Sequence, residues 1–537
     1  MPAISFSCVS FSYSSEPLLE NISLTVSDGE RVCVVGPNGS GKSTLLRLAT
    51  GELSPDRGTV TVPDHQGLPT PDSSEPATTT IESFLDAVCA ETLDAFDRFE
   101  RMSETIAQDG VETGSLAEDY DSLLTRLEVL DAWNLPARRA EALAGLGLGQ
   151  VDASRLVSSL SPGQRGRLEL AALLLSSGQA LMLDEPTNHL DAGSSSYLSE
   201  MMASWPGPVL FTSHDRAFID EVATALVDLD TAPWQALATA AGNSGPMGVY
   251  RCSGRYSDYL VEKARARSSH HSLHQRQQEQ RRSLTRHRRD SEIVGHRRAT
   301  PRTEIRMARK FYADRAQRVS TRRQTQDDRR LEALADTEVR RPRSYELQLR
   351  LTEPAPRRGM AVSARSAAVP GRLAPVTVDV MAGEHLLVTG VNGSGKSTLL
   401  TWLGRRSAPT EDSSGSLTVS GSVFWIPQHL PVLGDPGVEE DVWTGGVGDR
   451  GQGALHPRLW NRPISGLSDG NQRRAQLALA AAAGPEVLIV DEPTNYLDLD
   501  ALEMLEASLR PWAGTLIVAS HDRWLNEHWW GRRLHLH

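Results

Sequence analysis

The chain has 537 residues and a net charge of −12 at pH 7, enough length for two or three domains with cores of ordinary size. No apolar run reaches the ~18–20 residues of a membrane span. Met1-Pro2-Ala3-Ile4-Ser5 has neither the basic start nor the apolar stretch of a signal peptide, so a cytoplasmic protein that touches no membrane is expected. Four scattered cysteines (Cys8, Cys33, Cys89, Cys252) form no CxxC pair, which argues against zinc, an iron–sulfur cluster or a disulfide framework.

Arg31-Val32-Cys33-Val34-Val35 reads as a buried strand running into Gly36-Pro37-Asn38-Gly39-Ser40-Gly41-Lys42-Ser43-Thr44, a GxxxxGK[ST] phosphate loop. Phe84, Leu85, Val88, Leu93 and Phe96 recur at helical spacing, as do Leu123, Leu124, Leu127 and Leu130, which predicts a helical arm over about 81–136. Further on come Leu160-Ser161-Pro162-Gly163-Gln164, the apolar strand Ala180-Leu181-Met182-Leu183 ending in Asp184-Glu185, and Ser213-His214-Asp215-Arg216.

Between Arg251 and Arg343 the composition changes: 24 Arg and 2 Lys face 12 Asp and Glu, a net +14 that leaves −26 on the rest of the chain. A basic segment between acidic domains is a candidate nucleic-acid contact. Two long helices are expected over about Tyr256–Arg341. The first ends near Arg289, Gly295 lies in the turn, and the second starts with Thr300 as N-cap and Pro301 at its first position. Ile305, Ala308, Tyr312, Ala316 and Val319 form an apolar stripe that faces Leu260, Leu273 and Leu284. Some 30 helical residues reach about 45 Å, with the tip near Arg288–Arg302.

The first set of motifs then returns. His385-Leu386-Leu387-Val388-Thr389 leads into Gly390-Val391-Asn392-Gly393-Ser394-Gly395-Lys396-Ser397-Thr398. Leu467-Ser468-Asp469-Gly470-Asn471, Val487-Leu488-Ile489-Val490 with Asp491-Glu492, and Ser520-His521-Asp522-Arg523 follow. Ser161 to Asp184 and Ser468 to Asp491 both span 23 residues, and Asp184 to His214 and Asp491 to His521 both span 30. Lys42 to Ser161 is 119 residues and Lys396 to Ser468 is 72, so the first cassette holds 47 extra residues, assigned to the arm. The expected fold is α/β: two mainly parallel sheets with flanking helices at residues 1–250 and 344–537, joined by a basic helical hairpin at 251–343.

Glycines let each loop wrap phosphates with backbone N–H groups at a helix start. Gly36, Asn38, Gly39, Gly41 and Thr44, with Gly390, Asn392, Gly393, Gly395 and Thr398, are the expected ATP-binding positions. Lys42 and Lys396 neutralise the β and γ phosphates, while Ser43, Ser397, Asp184 and Asp491 are candidates for Mg²⁺. Glu185 and Glu492 are placed to polarise an attacking water, and His214 and His521 to touch the γ-phosphate. Tyr13 offers a ring to adenine. The second cassette has no Phe, Tyr or Trp from Glu346 to Thr401, a loss worth about 1 kcal/mol of nucleotide affinity.

Leu-Ser-Pro-Gly-Gln and Leu-Ser-Asp-Gly-Asn resemble the LSGGQ signature of ATP-binding cassette (ABC) proteins. That resemblance implies two composite sites. Site one combines the first phosphate loop with Ser468 and Gly470; site two combines the second loop and Gln428, matching the Q-loop and reaching the metal, with Ser161, Gly163 and Gln164. In the first cassette Thr70 stands where that glutamine is expected, with Gln66 as the other candidate. The whole architecture, together with Gly254, Tyr256 and Tyr259 at the linker entry and Glu-Pro-Thr-Asn-x-Leu-Asp in both cassettes, resembles the ABC-F family. The resemblance implies a monomeric ATP hydrolase that uses ATP and Mg²⁺ and has no stable protein partner. It also implies binding at the ribosomal tRNA exit site, with the hairpin near large-subunit rRNA, the peptidyl-transferase centre and P-site tRNA. Arg288, Arg289, Arg297, Arg298 and Arg302 are the candidate RNA contacts. Family members tune translation or displace antibiotics. The drifted motifs, and an arginine-for-lysine bias that suggests a high-GC genome, favour antibiotic resistance. A transport ATPase serving a separate permease would explain the cassettes and leave the basic hairpin without a role.

Overall fold

The computed structural model describes residues 3–63, 79–109, 114–176, 179–188, 190–243, 245–297, 306–342, 347–354, 358–391 and 393–537. Strands β1 (Ala3–Phe11) and β2 (Leu19–Ser27) carry alternating buried residues, the mark of a sheet with one wet face. β3 (Arg31–Val35) is buried along its length and delivers the phosphate loop to α1 (Lys42–Ala49). β4 (Arg57–Thr61) completes an antiparallel sheet of order β2-β1-β4.

The arm is helical as its periodicity predicts: α2 (Ile81–Val88), α3 (Ala90–Asp109), α4 (Gly114–Val129) and then α5 (Leu135–Gly145). Ile81, Phe84, Leu85 and Val88 root it in the main core. Farther out, Ala95, Leu127 and Ala132 form a small core of their own under Phe96, Phe99, Leu123 and Leu130.

α6 (Pro162–Leu175), β5 (Leu181–Leu183), α7 (Ala192–Ser204), β6 (Val209–Phe211), α8 (Arg216–Val222), β7 (Ala225–Asp228), α9 (Ala232–Ala240) and β8 (Tyr250–Ser253) follow. The sheet order is β5-β6-β3-β7-β8, parallel except for β8.

The linker is a hairpin of α10 (Tyr256–Arg297) and α11 (Arg306–Asp336). α10 runs past the expected end at Arg289 and carries Gly295 inside it, so Gly295 does not make the turn. A lone glycine costs a helix only about 1 kcal/mol, which a 42-residue helix absorbs. The expected start of the second helix at Thr300 and Pro301 lies outside the described residues, as does Ile305. Val319, expected in an apolar stripe, is exposed. The described contact between the two helices and the segment that leaves them includes a polar seam. Gln277 Nε2 donates to Thr337 O (2.7 Å), and its Oε1 accepts from Val339 N (2.9 Å). His270 Nε2 lies 2.9 Å from Arg340 O, and His287 Nδ1 2.6 Å from the buried Asp327. A stripe count sees carbon only, so it misses this polar seam.

The second half repeats the first. β9 (Met360–Val369), β10 (Leu373–Met381), β11 (His385–Gly390), α12 (Lys396–Arg405), β12 (Ser414–Val419), β13 (Val423–Ile426) and α13 (Glu440–Gly445) are followed by α14 (Asp469–Ala483), β14 (Val487–Asp491), α15 (Leu499–Leu509), β15 (Thr515–Ala519), α16 (Arg523–His528) and β16 (Arg532–Leu536). The order β13-β14-β15-β11-β16 is wholly parallel, and β10-β9-β12 is antiparallel. β14 and β15 are buried at every position, as a sheet covered on both faces requires.

Gln277→Ala strips partners from two backbone groups at the hairpin root. The expected result is faster hydrogen exchange at Val339 N–H, equivalent to about 1–3 kcal/mol of local opening.

Candidate nucleotide sites at the cassette seam

Each phosphate loop sits at a helix start that only glycine can make. Gly41 and Gly395 are the N-caps of α1 and α12, with φ of 98° and 95°. A Cβ on Gly395 would lie 2.4 Å from Arg372 O, and one on Gly41 2.7 Å from Leu19 Cδ2. Lys42 Nζ donates to Gly36 O (2.9 Å) and Pro37 O (3.4 Å); Lys396 Nζ donates to Gly390 O (2.8 Å) and Val391 O (3.2 Å). Ser40 Oγ and Ser394 Oγ are buried in these loops with no hydrogen-bond partner among the described residues. Free helix N–H groups, a lysine and orphaned hydroxyls make a cradle suited to phosphate. Ser43, Thr44, Ser397 and Thr398 occupy the first turn of the following helix in each copy. Asn392 lies outside the described residues.

The carboxylate pairs end β5 and β14. Glu185 and Glu492 both hold left-handed backbone, φ 49° and 48°, a strain that persists only where the surroundings enforce it. The two copies differ in what surrounds them. Adding 307 to a number in the first cassette gives its counterpart from Ser161 onward. Thr212 thus corresponds to Ala519. Thr212 Oγ1 donates to Asp184 Oδ1 (2.6 Å) and accepts from Glu185 N (3.0 Å). With alanine there, Asp491 Oδ1 is buried without a hydrogen-bond partner, while Ser397 on α12 helps hold its carboxyl down against burial, which raises it. His214 Nε2 lies 3.3 Å from Glu185 Oε1, and His521 Nδ1 2.8 Å from Glu492 Oε1. Burial pushes Glu185 up to about 7 despite Lys42, and burial with Lys42 pushes His214 down to about 4. The Glu492 hydrogen bond instead raises His521.

The seam brings the two cassettes together at site one. Asn38 N donates to Asp498 Oδ2 across it (3.4 Å), and a Cβ on Gly470 would lie 3.5 Å from Asn38 Nδ2. Ser468 caps α14 beside them. At site two, Ser161 and Gln164 bond each other in a capping box, and among the described residues Ser161 and Gly163 make only local hydrogen bonds. Gln428 is exposed just beyond β13, whose Ile426 pairs with Val490 beside Asp491. Gln66 and Thr70 lie outside the described residues. Tyr13 is exposed, its hydroxyl 3.5 Å from Thr44 Oγ1. The β9–β10 turn has three residues where the β1–β2 turn has seven, so the second cassette lacks the segment that carries Tyr13 as well as the ring. A cavity of about 380 Å³ lined by Pro370, Arg372, Gly393, Ser394 and His537 lies there.

Two arginines escaped the sequence reading. Arg216 is wholly buried, its guanidinium bound by Glu503 (3.3 Å), Glu506 (2.6 Å) and Asp522 (3.0 Å) from the other cassette. Arg473, also wholly buried, donates to Pro427 O, Asp491 O and Glu492 O, clamping the strand before Gln428 to the carboxylate pair. Its counterpart is Gly166. The repeat of Arg216 as Arg523 was the available signal; for Arg473 none existed. Arg288 is half-exposed and pairs with Asp328 (3.2 Å), Arg289 is exposed, Arg297 lies in α10, and Arg298 and Arg302 fall outside the described residues.

A phosphate loop, signature segment, strand-end carboxylate pair and histidine, each present twice, with the first loop meeting the second signature segment across a seam, define a duplicated ABC ATPase. Residues 19–188 and 373–495 match the family model described as ABC transporter. The tylosin resistance ATP-binding protein TlrC of Streptomyces fradiae is 32% identical over 98% of this chain and 95% of its own. The energy-dependent translational throttle protein EttA of Mycobacterium tuberculosis is 28% identical, over 95% and 87%. An archaeal ribosome recycling factor, aABCE1, solved with the ribosomal stalk protein aP1, shares the fold at a TM-score of 0.51 and 18% identity, over 96% of this chain and 84% of that one. The chain belongs to the ABC-F family and is an ATP hydrolase. Among the described residues no helix is long and apolar enough to cross a membrane.

The raised Glu185 carboxyl carries a sign for stability. Its folded pKa, about 7, exceeds the unfolded value, so the stability its proton contributes is full below about 4.5 and lost as pH rises through 7. Glu185→Gln removes the desolvated charge. The expected gain in unfolding free energy is about 3 kcal/mol at pH 8 and under about 1 at pH 5, read from denaturant titrations.

Proposed function

We propose that the chain is a cytoplasmic ribosome-protection ATPase. In its ATP-bound closed state it binds at the tRNA exit site and places the linker hairpin near the peptidyl-transferase centre and P-site tRNA. It protects against ribosome-targeting antibiotics and leaves on hydrolysis. The observation that carries this reading is a hairpin with net charge +14 mounted on two ATP-driven cassettes that are otherwise acidic. The resistance named in TlrC and the translational role named in EttA support it, and the first favours protection over general tuning. Arginine pairs with RNA phosphates and stacks on unpaired bases, the contacts single-stranded rRNA offers. A transport ATPase would give the hairpin no ligand.

In this reading the backbone N–H groups of both loops, with Lys42 and Lys396, hold the β and γ phosphates. Ser43 with Asp184, and Ser397 with Asp491 and Gln428, would hold Mg²⁺; the partnerless Asp491 Oδ1 and the oxygen-only donor set fit that ion. When bound, Mg²⁺ neutralises charge developing on the phosphates. Glu185 and Glu492 draw a proton from the attacking water, and His214 and His521 touch the γ-phosphate. Gly470 and Ser468 cap the nucleotide of site one, and Gly163 and Ser161 that of site two, so ATP joins the halves and its hydrolysis parts them. Tyr13 stacks on the base of site one.

Glu185→Gln and Glu492→Gln, made separately, are expected to slow ATP turnover by different factors, since Thr212 and Ala519 set different surroundings; equal losses would remove the functional asymmetry. With both substitutions combined, ribosomes are expected to pellet the protein only with ATP, and binding should weaken steeply between 50 and 200 mM salt. Failure to pellet at low salt with ATP bound would overturn the ribosomal reading.

A further inference from the structure

The first two turns of α10 carry three polar side chains on one face, Tyr256, Tyr259 and Lys263, each almost wholly buried. Tyr256 hydroxyl donates to Glu503 Oε1 (3.3 Å) on α15. Tyr259 hydroxyl donates to Asp228 Oδ2 (2.6 Å) at the end of β7. Lys263 Nζ reaches both cassettes at once, 2.8 Å from Asp228 Oδ2 and 2.9 Å from Asp500 Oδ1, and also donates to Tyr259 hydroxyl (2.6 Å). One turn on, Arg267 Nη2 takes the other oxygen of Asp500 (2.8 Å). Burial would lower the lysine, but Asp228 and Asp500 outweigh it and hold Lys263 charged.

Both carboxylates lie close to the first phosphate loop. Asp228 pairs with Val35 on the strand that enters the loop, and a Cβ on Gly36 would lie 3.4 Å from Leu229 Cβ. Asp500 sits on the first turn of α15, whose N-cap Asp498 accepts from Asn38 N. One ammonium therefore joins the linker root to the floor of site one on one cassette and to its cross-seam contact on the other. Among the described residues the second site has no such tie: the counterparts of Asp228 and Asp500 are His535 and Gly193.

We propose that Lys263 is a positioning residue that couples closure of site one, and not of site two, to the angle of the linker hairpin. Parting the cassettes draws Asp500 away and leaves Lys263 and Tyr259 anchored to Asp228, so the hairpin stays with the first cassette. Closure returns Asp500 to Lys263 and Arg267 and sets the hairpin against both. This rests on ATP-driven closure as read above.

The test uses the full chain with Glu185→Gln and Glu492→Gln to hold ATP, and Cys8→Ser to remove the exposed thiol. Fluorophore pairs at Glu52 and Glu411 report the cassettes, and pairs at Arg282 and Glu52 report the angle of the hairpin on the first cassette. In the parent, ATP should move both distances in one transition. With Lys263→Met, saturating ATP should still close the cassettes at about tenfold higher half-saturation, while the hairpin distance ceases to follow. Lys263→Arg should restore the link, which a merely structural role would not require. Asp500→Asn repeats the test from the other partner should Lys263→Met not fold. A hairpin that follows closure equally in Lys263→Met or Asp500→Asn and parent overturns the proposal. A parent in which ATP moves neither distance overturns the closure reading and the proposal with it.

Discussion

Everything in this molecule turns on a seam between two acidic bodies that is bridged by a few buried cations. Arg216 is the strongest case: a wholly buried guanidinium held by three carboxylates from the other cassette, with Trp524 5.9 Å from its centre. Such a cation is costly to desolvate and is tolerated only with its partners in place. Halves that part must rehydrate it, so the arrangement favours two discrete states over a continuum. Its counterpart Arg523 reaches Asp215, Glu221 and Ser195 at 3.4–3.9 Å and stays partly exposed. The glutamates facing Arg216 have become Ser196 and Ser199 in the other half. One side of the seam is thus tightly held and the other loosely.

That inequality recurs at each level of the two sites. Thr212 against Ala519, Gly166 against Arg473, and a seven-residue turn against three are all substitutions of one copy relative to the other. Their effects are physical. The Thr212 hydroxyl supports Asp184, and alanine stands in its place beside Asp491; an arginine clamps the glutamine strand of the second half where the first has Gly166; the same histidine is pushed down by burial in one copy and up by its glutamate in the other. The two copies keep the phosphate-loop lysine, the carboxylate pair and the histidine, while changes around them give the two sites different surroundings.

The motifs were legible because phosphate chemistry tolerates few alternatives at few spacings. Lys42, Asp184, Glu185 and His214, with their repeats, stand where the sequence places them. The parallel sheets were legible from Val32–Val35 and Val487–Val490, since only strands covered on both faces are apolar at every position. What was not legible is what long-range pairing decides. Gly295 has turn chemistry, yet stays helical because neighbouring turns outvote one residue. Lys263 and Arg216 look like surface charges until their partners on the second cassette, over two hundred residues away, are known. The hairpin's polar seam hides for the same reason: Gln277 and His270 bond to backbone carbonyls, and no side-chain pattern encodes a carbonyl.

The placement of charge explains why so basic a hairpin can fold on so acidic a base. Its root is neutralised where it meets the cassettes, with Lys263 and Arg267 held by Asp500 of the second cassette, and Arg281 is held by Glu338. Farther out, Arg282, Arg286 and Arg289 are exposed and make no ion pair among the described residues. Arg288 between them pairs with Asp328, so bare and paired arginines alternate along the described distal part of α10. A uniformly paired hairpin would be a strut, and a uniformly unpaired one would be drawn down onto the acidic bodies that carry it. A root tied to the cassettes with unpaired arginines beyond it resists that collapse, because the root fixes the hairpin's angle while those arginines remain available to an outside polyanion.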